Sequence, residues 1–406
     1  MDFGVLVFPF HEPSGDPTLQ LHDDLALAEH CDRLGYEEFW FGEHHSGGWQ
    51  IIAAPELMIA AAAQRTTRIK LGTGVSTLSY HQPFLLLDRI ILLDHLTRGR
   101  LLFGVGSGAL PLDARMIGHD PMQARRMMEE SLEAITALLR GDGPVTRRTD
   151  WFALDEARLH LRPYGSGLDI RVAAFKSPAG PRLAGRFGTG LVSFGASAAI
   201  GSGTDNPLRT AASIAEHEAA AAGRTFDRRR WSVLSLVHVA ETEAEARADV
   251  RRRIGPYLRY IRQILPQNIP ADLDDPDALV DLLTFTGTAV IGTPGQAIEH
   301  IRTMWDMSGG FGTFLIEQSD IADPAATRRS YELFARQVAP YFKGSTAPRL
   351  QAYDRELASD GRTRRTMAAA QAKAGVDYAR ERRFESADGD KSDSTNGERT
   401  WTSTSK

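Results

Sequence analysis

The sequence predicts an α/β protein that folds as a (β/α)8 barrel. Strand-like and helix-like segments alternate from the first residues onward, which is typical of a parallel sheet covered by helices. Eight such strand–helix units follow one another, and eight units favour closure into a barrel over an open sheet. The barrel and its insertions are expected to span residues 1–343, within the usual size range of this fold.

The first four units are marked by local helix signals. Gly35 ends the first predicted helix, because glycine readily adopts the left-handed conformation that closes a helix. Pro55 and Pro83 open the second and third helices, since a proline in the first turn gives up no helical hydrogen bond. The predicted pairs of strand and helix are 3–8 with 18–35, 37–42 with 55–65, 69–76 with 83–98, and 100–105 with a helix through Met128, Leu132, Ile135 and Leu139.

The second half of the barrel is interrupted by two weaker stretches. Residues 143–168 have no regular pattern, and residues 266–277 are rich in Pro and Asp. The predicted strands of this half are 170–175, 189–194, 231–240 and 311–317, and the predicted helices are 179–187, 207–222, 242–264, 294–307 and 324–341.

A polar tail is predicted after the barrel, at residues 344–406. Residues 386–406 contain almost no apolar side chain, which is typical of a disordered segment. Residues 349–384 are rich in Arg and Ala and fit a loose, solvated helix. We expect this tail to be largely disordered, and a dispensable tail is favoured over a docking element for a partner.

The composition is that of an ordinary globular protein. The chain is 42% hydrophobic and 24% charged, and its net charge of −5 does not favour binding to nucleic acid or to an anionic membrane. No signal segment and no long apolar run is found, so the expected location is the cytoplasm. The single cysteine, Cys31, excludes an internal disulfide and any site with several cysteine ligands.

Titratable side chains follow directly after the second predicted strand. The aromatic run ends at Phe41, and Glu43, His44 and His45 come next. The carboxyl ends of barrel strands carry functional residues, and adjacent strand residues point to opposite sides. We therefore expect one histidine to face the barrel mouth. Two packed structural histidines remain an alternative.

A metal site is the rival interpretation of the two histidines. Metal-dependent barrel hydrolases need histidine and acid ligands at several strand ends. The first strand is followed by His11 and Glu12 without a His-x-His pair, and Glu317 is the nearest acid late in the chain. No metal is expected.

Small residues follow the third and fourth predicted strands. Residues 72–76 read Gly-Thr-Gly-Val-Ser, and glycines occur at positions 104, 106 and 108. Glycines let a ligand approach the backbone closely. Beside the aromatic second strand, these two strand ends predict a slot for a planar ring. The glycine spacing does not match a dinucleotide-binding fingerprint.

A candidate anion site follows the fifth predicted strand. Lys176 and Ser177 precede a helix that begins near Gly180, and free N–H groups at a helix start bind anions. Arg125, at the start of the helix after the fourth strand, is a candidate for a bidentate phosphate contact.

Four motifs in order resemble the bacterial luciferase-like flavin monooxygenases. They are the Glu43-His44-His45 block, residues 66–74 (TTRIKLGTG), residues 93–108 (LDHLTRGRLLFGVGSG) and Ser177-Pro178. The resemblance covers residues 1–343, and the sequence is most similar to the limonene 1,2-monooxygenase-type branch. It implies a barrel that binds reduced FMN (FMNH2) supplied by a separate NAD(P)H:flavin reductase. The flavin would react with O2 to give a C4a-peroxyflavin, which transfers one oxygen atom to an apolar or polycyclic organic substrate.

The resemblance also implies roles for individual residues. His44 corresponds to the active-site histidine and His45 to its supporting neighbour. Arg125, Ser177 and Gly180 correspond to the phosphate cradle, to which Lys176 is adjacent. Thr73 and Gly74 lie where the family places the flavin ring, often beside a cis peptide. Gly106 replaces the cysteine of true luciferases, which implies more room above the ring.

Several points stay open after the resemblance is taken into account. Epoxidation, hydroxylation and Baeyer–Villiger insertion are not separated, and terpene metabolism and antibiotic tailoring are both possible settings. A deazaflavin (F420)-dependent hydride-transfer enzyme and a non-catalytic flavin-binding barrel are the alternative functions. The resemblance further implies a homodimer, for which the apolar helix 57–64 is a candidate interface, and a lid at residues 265–287.

Overall fold

The computed structural model describes residues 1–8, 10–175, 177–195, 206–264, 270 and 274–392, with side chains described as far as Phe384. The chain divides into two units, Met1–Lys343 and Gly344–Lys406. In the first unit the strands are β1 (Asp2–Val7), β2 (Glu38–Phe41), β3 (Lys70–Thr73), β4 (Ser76–Thr77), β5 (Leu101–Gly106), β6 (Val145–Arg148), β7 (Ala153–Ala157), β8 (Asp169–Ala174), β9 (Gly190–Phe194), β10 (Trp231–Val239), β11 (Ala289–Gly292) and β12 (Thr313–Gln318).

Eight parallel strands close into a barrel. Strand β1 pairs with both β2 and β12, and β10 pairs with both β9 and β12. The ring is completed through β3, β5 and β8. Closure leaves no edge strand in the ring. The predicted (β/α)8 barrel is thereby confirmed.

Helices of the first unit surround the barrel. They are α1 (Pro17–Leu34), α2 (Pro55–Ala63), α3 (Pro83–Thr97), α4 (Pro111–Met116), α5 (Ala124–Arg140), α6 (Ala179–Phe187), α7 (Pro207–Ala221), α8 (Glu243–Val250), α9 (Ile254–Ile264), α10 (Pro276–Phe285), α11 (Pro294–Ser308), α12 (Pro324–Leu333) and α13 (Ala339–Lys343). Gly35 closes α1 with φ 86°, and Pro55 and Pro83 open α2 and α3, as predicted.

Two regions of the first unit contain elements that the sequence does not predict. Residues 143–168, expected to be irregular, contain the antiparallel hairpin β6–β7. The region 242–264, expected to be one long helix, is two helices, α8 and α9, and it is followed by α10 and by β11. Strand β11 pairs with the carboxyl-terminal part of β10, from Leu236 to Val239. These additions lie after β10, at one side of the barrel mouth.

The barrel interior is layered. Near the amino-terminal ends of the strands, Arg171 pairs with Glu38 at 2.9 Å, and both side chains are buried. Above this ion pair lies an apolar layer, formed by Leu6, Trp40, Leu102, Val192, Leu234 and Leu315. Because these side chains fill the barrel, a ligand has room only above them, at the carboxyl-terminal ends of the strands.

The second unit contains the helices α14 (Ala347–Leu357) and α15 (Arg362–Ser392). Helix α15 continues into the segment expected to be disordered, up to Ser392, and residues 393–406 lie outside the described part. Nearly all of the described side chains of this unit are exposed. In the described parts of the chain, no helix is long and apolar enough to cross a membrane.

Candidate active site

A cavity of about 470 Å³ lies at the carboxyl-terminal ends of the barrel strands. Its volume falls in the range of small-molecule and cofactor sites. It is lined by residues at or beyond the ends of most barrel strands, among them Leu6, Gly74, Gly106, Ala174, Leu236 and Glu317. A groove of similar volume, between α5 and α6 on the outside, does not reach these strand ends. We therefore place the candidate active site in the barrel mouth.

His44 faces this cavity, and its orientation is set by Asp113 in helix α4. The Nδ1 atom of His44 lies 3.2 Å from Oδ2 of Asp113, which is fully buried. Ser46 also donates a hydrogen bond to Asp113. Burial alone raises the pKa of Asp113, but the hydrogen bonds from His44 and Ser46 outweigh it and hold the pKa below its usual value. An ionised Asp113 can only accept, so Nδ1 of His44 carries the proton and Nε2 is left for the cavity.

His45 does not line the cavity, and it donates to Glu43 instead. Its Nε2 lies 3.1 Å from Oε1 of Glu43, and Nε2 of His81 lies 2.8 Å from the same oxygen. The backbone N–H of Thr77 donates to the other carboxylate oxygen at 2.7 Å. Burial alone raises the pKa of Glu43, but these three donors outweigh it and lower the pKa. The pKa of His45 is raised, first of all by its hydrogen bond to Glu43.

The Glu43 cluster has the geometry of a hydrogen-bonded junction. It ties the loop after β2 to the segment after β3, which carries both Thr77 and His81. The described residues contain no group of three or more histidine, cysteine or acidic side chains arranged to bind a metal. The two histidines after β2 instead contact carboxylates, His44 that of Asp113 and His45 that of Glu43.

The predicted slot at the ends of the third and fourth barrel strands is partly occupied by the side chain of Val75. Gly74 and Gly106 line the cavity, and the peptide bond between Gly74 and Val75 is cis. A Cβ atom added to Gly106 would lie 2.6 Å from a methyl carbon of Val75. Val75 therefore occupies the space that a side chain at Gly106 would need, and the expectation of more room above a bound ring stays a prediction. Thr73 does not line the cavity, and its hydroxyl donates to the carbonyl oxygen of Gly104 at 2.7 Å.

Three of the predicted phosphate ligands line the same cavity. Ser177 and Gly180 lie at the start of α6, and Arg125 lies at the start of α5. Gly180 lets α6 pack closely on β8, because an added Cβ atom would lie 2.6 Å from the carbonyl oxygen of Ala173. Arg125 forms no ion pair within the described part of the chain, whereas its neighbour Arg126 pairs with Asp150 at 2.8 Å. Lys176 lies outside the described residues.

The other end of the cavity is apolar, with one acid. Helices α9 and α10 contribute Leu258, Ile261 and Leu283, and β12 contributes Glu317. Tyr257 donates a hydrogen bond to Oε1 of Glu317 at 2.7 Å. The predicted lid, residues 265–287, lies only partly in the described chain, where it contains α10. The cavity thus combines one end that carries Arg125 and Ser177 with another end that is mostly apolar.

Sequence reasoning missed several of these residues. The sequence gives no signal for Asp113 or His81, because each is distant in the chain from the residue that it contacts. Tyr257 has helical neighbours that are mostly apolar or basic, and only its contact with Glu317 marks it. From the sequence, Glu317 is only a candidate metal ligand.

The family model for luciferase-like monooxygenases matches residues 1–310. The chain is 48% identical to limonene 1,2-monooxygenase of Rhodococcus erythropolis, over 89% of this chain and 91% of that protein. It is 45% identical to 4-hydroxyprotoasukamycin monooxygenase of Streptomyces nodosus subsp. asukaensis, over 85% of this chain and 93% of that protein.

A solved structure supports the same relationship. The oxygenating constituent of 3,6-diketocamphane monooxygenase from Pseudomonas putida, in complex with FMN, superimposes with a TM-score of 0.69. It is 27% identical, and the match covers 84% of this chain and 98% of that chain. The protein belongs to the luciferase-like monooxygenase family, in the limonene 1,2-monooxygenase branch.

Proposed function

We propose that this protein is an FMNH2- and O2-dependent monooxygenase that inserts one oxygen atom into an apolar or polycyclic organic substrate. The observation that carries the proposal is the two-ended cavity, in which Arg125 and Ser177 stand at one end and the apolar residues of α9 and α10 at the other. Two relatives, a limonene and a 4-hydroxyprotoasukamycin monooxygenase, support a terpene or an antibiotic precursor as the substrate. Epoxidation, hydroxylation and Baeyer–Villiger insertion are all compatible with this site.

The residues present fit FMN. Arg125, the Ser177 hydroxyl and the Gly180 N–H at the start of α6 are suited to a phosphate, because a helix start leaves N–H groups without an intrahelical acceptor. Gly74 and Gly106 would bring the backbone close to a planar ring, and Thr73 would hold β3 against β5 through Gly104. Lys176 is proposed as an additional cation near the phosphate. Bound reduced FMN would supply the electrons that activate O2.

His44 is proposed to hold or move a proton at Nε2. Its Nδ1 is engaged by Asp113, so the imidazole presents a fixed nitrogen to the cavity. His45 is proposed to act as a supporting neighbour, because its hydrogen bond to Glu43 holds the loop that carries His44. The apolar wall would exclude water and so limit side reactions with solvent at the reacting centre.

A separate NAD(P)H:flavin reductase is proposed as the source of reduced FMN. The related camphane enzyme is an oxygenating constituent, which implies that another component supplies its electrons. An F420-dependent hydride-transfer enzyme and a non-catalytic barrel remain the alternatives. The His44–Asp113 pair at the cavity favours a catalytic site over a non-catalytic one.

A homodimer is proposed as the assembly. Leu85, Leu92 and Leu96 lie at the spacing of one helical face of α3, and Leu57 lies on the adjacent α2; all four are more than half exposed. Sedimentation of the native chain should give twice the monomer mass. A Leu92→Glu, Leu96→Glu variant should sediment as a monomer, because it places charges on this face.

The proposed cofactor is tested by anaerobic equilibrium titration with reduced FMN and with reduced F420. Reduced FMN should bind, and Arg125→Ala should weaken its binding by about tenfold, the loss of one charge-assisted hydrogen bond to phosphate. Arg126→Ala is the matched control, and it should leave the affinity unchanged because Arg126 is engaged by Glu130 and Asp150. Binding of reduced F420 without binding of reduced FMN would overturn the proposal.

A further inference from the structure

Glu317 is the acidic side chain at the apolar end of the cavity. It lies near the carboxyl end of β12, two residues after Leu315, which is part of the apolar layer inside the barrel. Alternate residues of a strand point to the same side, so Glu317 also points inward, one level above that layer. Its partner in the adjacent strand β10 is Leu236, and Leu236, Tyr257 and Leu258 all line the same cavity.

Only one of its two carboxyl oxygens is engaged. Oε1 accepts a hydrogen bond from the Tyr257 hydroxyl at 2.7 Å and another from the Ser319 hydroxyl at 3.2 Å. Within the described residues, Oε2 has no hydrogen-bond partner, and Glu317 is one of the residues that line the cavity. The two hydroxyls therefore hold the carboxyl group in place and leave one oxygen for a ligand.

Among the described residues, Glu317 has no basic partner. The described residues place no basic side chain within ion-pair distance of Glu317, whereas Glu43 in the same cavity accepts hydrogen bonds from two histidines. Burial raises the pKa of Glu317 above its usual value, and its two hydroxyl donors do not compensate fully. The environments of the two carboxyl groups thus push their pKa values in opposite directions, the arrangement expected when two acids have different tasks.

The neutral form of Glu317 has a defined hydrogen-bonding pattern. Because Oε1 already accepts from Tyr257 and Ser319, the proton belongs on Oε2, where it points to the cavity. A donor that loses water when a ligand binds and gains no acceptor is unfavourable, so a ligand that supplies an oxygen here gains affinity over one that does not.

We propose that Glu317 is a specificity-determining residue that donates a hydrogen bond from Oε2 to an oxygen of an otherwise apolar substrate. The substrate class is then an oxygenated terpenoid or polycycle, such as an alcohol or a ketone, in preference to a plain hydrocarbon. This inference rests on the proposed function only in taking the apolar end of the cavity as the substrate site.

The test compares a hydrocarbon with an alcohol of the same skeleton. Limonene and carveol are the probes, and their binding to the full chain is measured by headspace partitioning, with and without oxidised FMN. The wild-type protein should bind carveol at least tenfold more tightly than limonene. The carveol-to-limonene ratio is the affinity for carveol divided by the affinity for limonene. In Glu317→Leu this ratio should fall by about tenfold, because the donor is gone. In Glu317→Gln it should stay within about threefold, since the amide can accept from Tyr257 and Ser319 while its NH2 group donates.

A matched control changes another polar residue of the same cavity. Thr286 lines the cavity, and its hydroxyl already contacts the Thr288 hydroxyl at 2.9 Å and the carbonyl oxygen of Leu282 at 2.7 Å. Thr286→Val should therefore leave the carveol-to-limonene ratio as it is in the wild type. Glu317→Gln retains the shape of the side chain, so it keeps the test meaningful if Glu317→Leu fails to fold.

The outcomes separate this inference from the proposed function. An unchanged ratio in Glu317→Leu would overturn the inference even if the enzyme oxygenates its substrate with reduced FMN. A loss of FMN affinity in Glu317→Leu, with the ratio unchanged, would assign Glu317 to the flavin and would also overturn it. A ratio that falls as expected in a protein that binds no reduced FMN would support the inference while the proposed function fails.

Discussion

Asp113 accepts a hydrogen bond from Nδ1 of His44 at 3.2 Å and thereby joins two loops at the mouth of the barrel. His44 belongs to the loop after β2, and Asp113 belongs to the short helix α4 after β5. A carboxylate in this position selects the tautomer and the orientation of the imidazole. The nitrogen that faces the cavity is therefore determined by a residue that does not line it.

The first prediction concerns Asp113. Asp113→Asn should reduce product formation by about 10- to 100-fold, because the neutral amide no longer selects the tautomer and orientation of His44. The affinity for reduced FMN should change little. Asp120→Asn is the control, since Asp120 is exposed and caps a surface turn. Steady-state turnover that is equal in wild type and Asp113→Asn would show that the pair does not orient His44.

The second prediction concerns Gly106. In Gly106→Ala the new methyl group collides with the stiff, β-branched Val75, and overpacking of this kind costs about 1–3 kcal/mol. The affinity for FMN should fall by about tenfold or more, because Val75 must move in the wall of the proposed ring site. Val75→Ala in the same chain should restore most of the affinity. If the double variant binds FMN no better than Gly106→Ala, the collision is not the cause.

The third prediction concerns the ion pair at the bottom of the barrel. Arg171→Met should lower the free energy of unfolding by about 3–5 kcal/mol, because Glu38 is then buried without its cation. Arg126→Met removes a surface ion pair with Asp150 and should destabilise the fold far less, because both charges are solvated. Urea unfolding of both variants measures the difference. Equal losses of unfolding free energy in the two variants would contradict the view that the Arg171–Glu38 ion pair stabilises the barrel.

The fourth prediction concerns the pH dependence of stability. His11 lies 3.0 Å from Asp24 and 3.3 Å from Asp320. Burial alone lowers the pKa of His11, but the two carboxylates outweigh it and raise the pKa from 6.5 to about 10. A raised histidine pKa stabilises the folded state fully below pH 6.5 and loses this effect as the pH rises toward about 10.

The variant that tests this is His11→Gln. It should lower the free energy of unfolding by about 3 kcal/mol at pH 6.5, and its difference from the wild type should shrink toward pH 10. His160→Gln is the control, because His160 is exposed and 3.9 Å from its nearest carboxylate. A difference that stays constant across this pH range would contradict a role for the protonated imidazole.

The barrel was predictable because its signals are local. Apolar runs such as residues 231–240 and the proline-led helices α2 and α3 carry their pattern in neighbouring residues. The hairpin β6–β7 was missed because its strands are short and mostly polar, with one side exposed. Strand β11 was missed because only its pairing with β10 identifies it.

The site was predictable only in part. His44 follows an aromatic strand, and that position alone marked it as a residue of the barrel mouth. Its partner Asp113 is distant in the chain, so only the folded loops reveal the contact. The room expected at Gly106 depended on Val75, whose position follows from the neighbouring strand. The hydrogen bonds of Glu317 likewise depend on α9, which sequence patterns do not place.

The most direct test of the account is the ratio of oxygenated product formed to reduced FMN consumed, measured with isotopically labelled O2 in wild type and in His44→Ala. His44 lines the cavity, so we expect the variant to bind reduced FMN within about threefold of the wild type. Its ratio should fall by about 100-fold, the usual contribution of a positioned acid–base group. A His44→Ala variant that couples FMN oxidation to labelled product as well as the wild type would contradict the account.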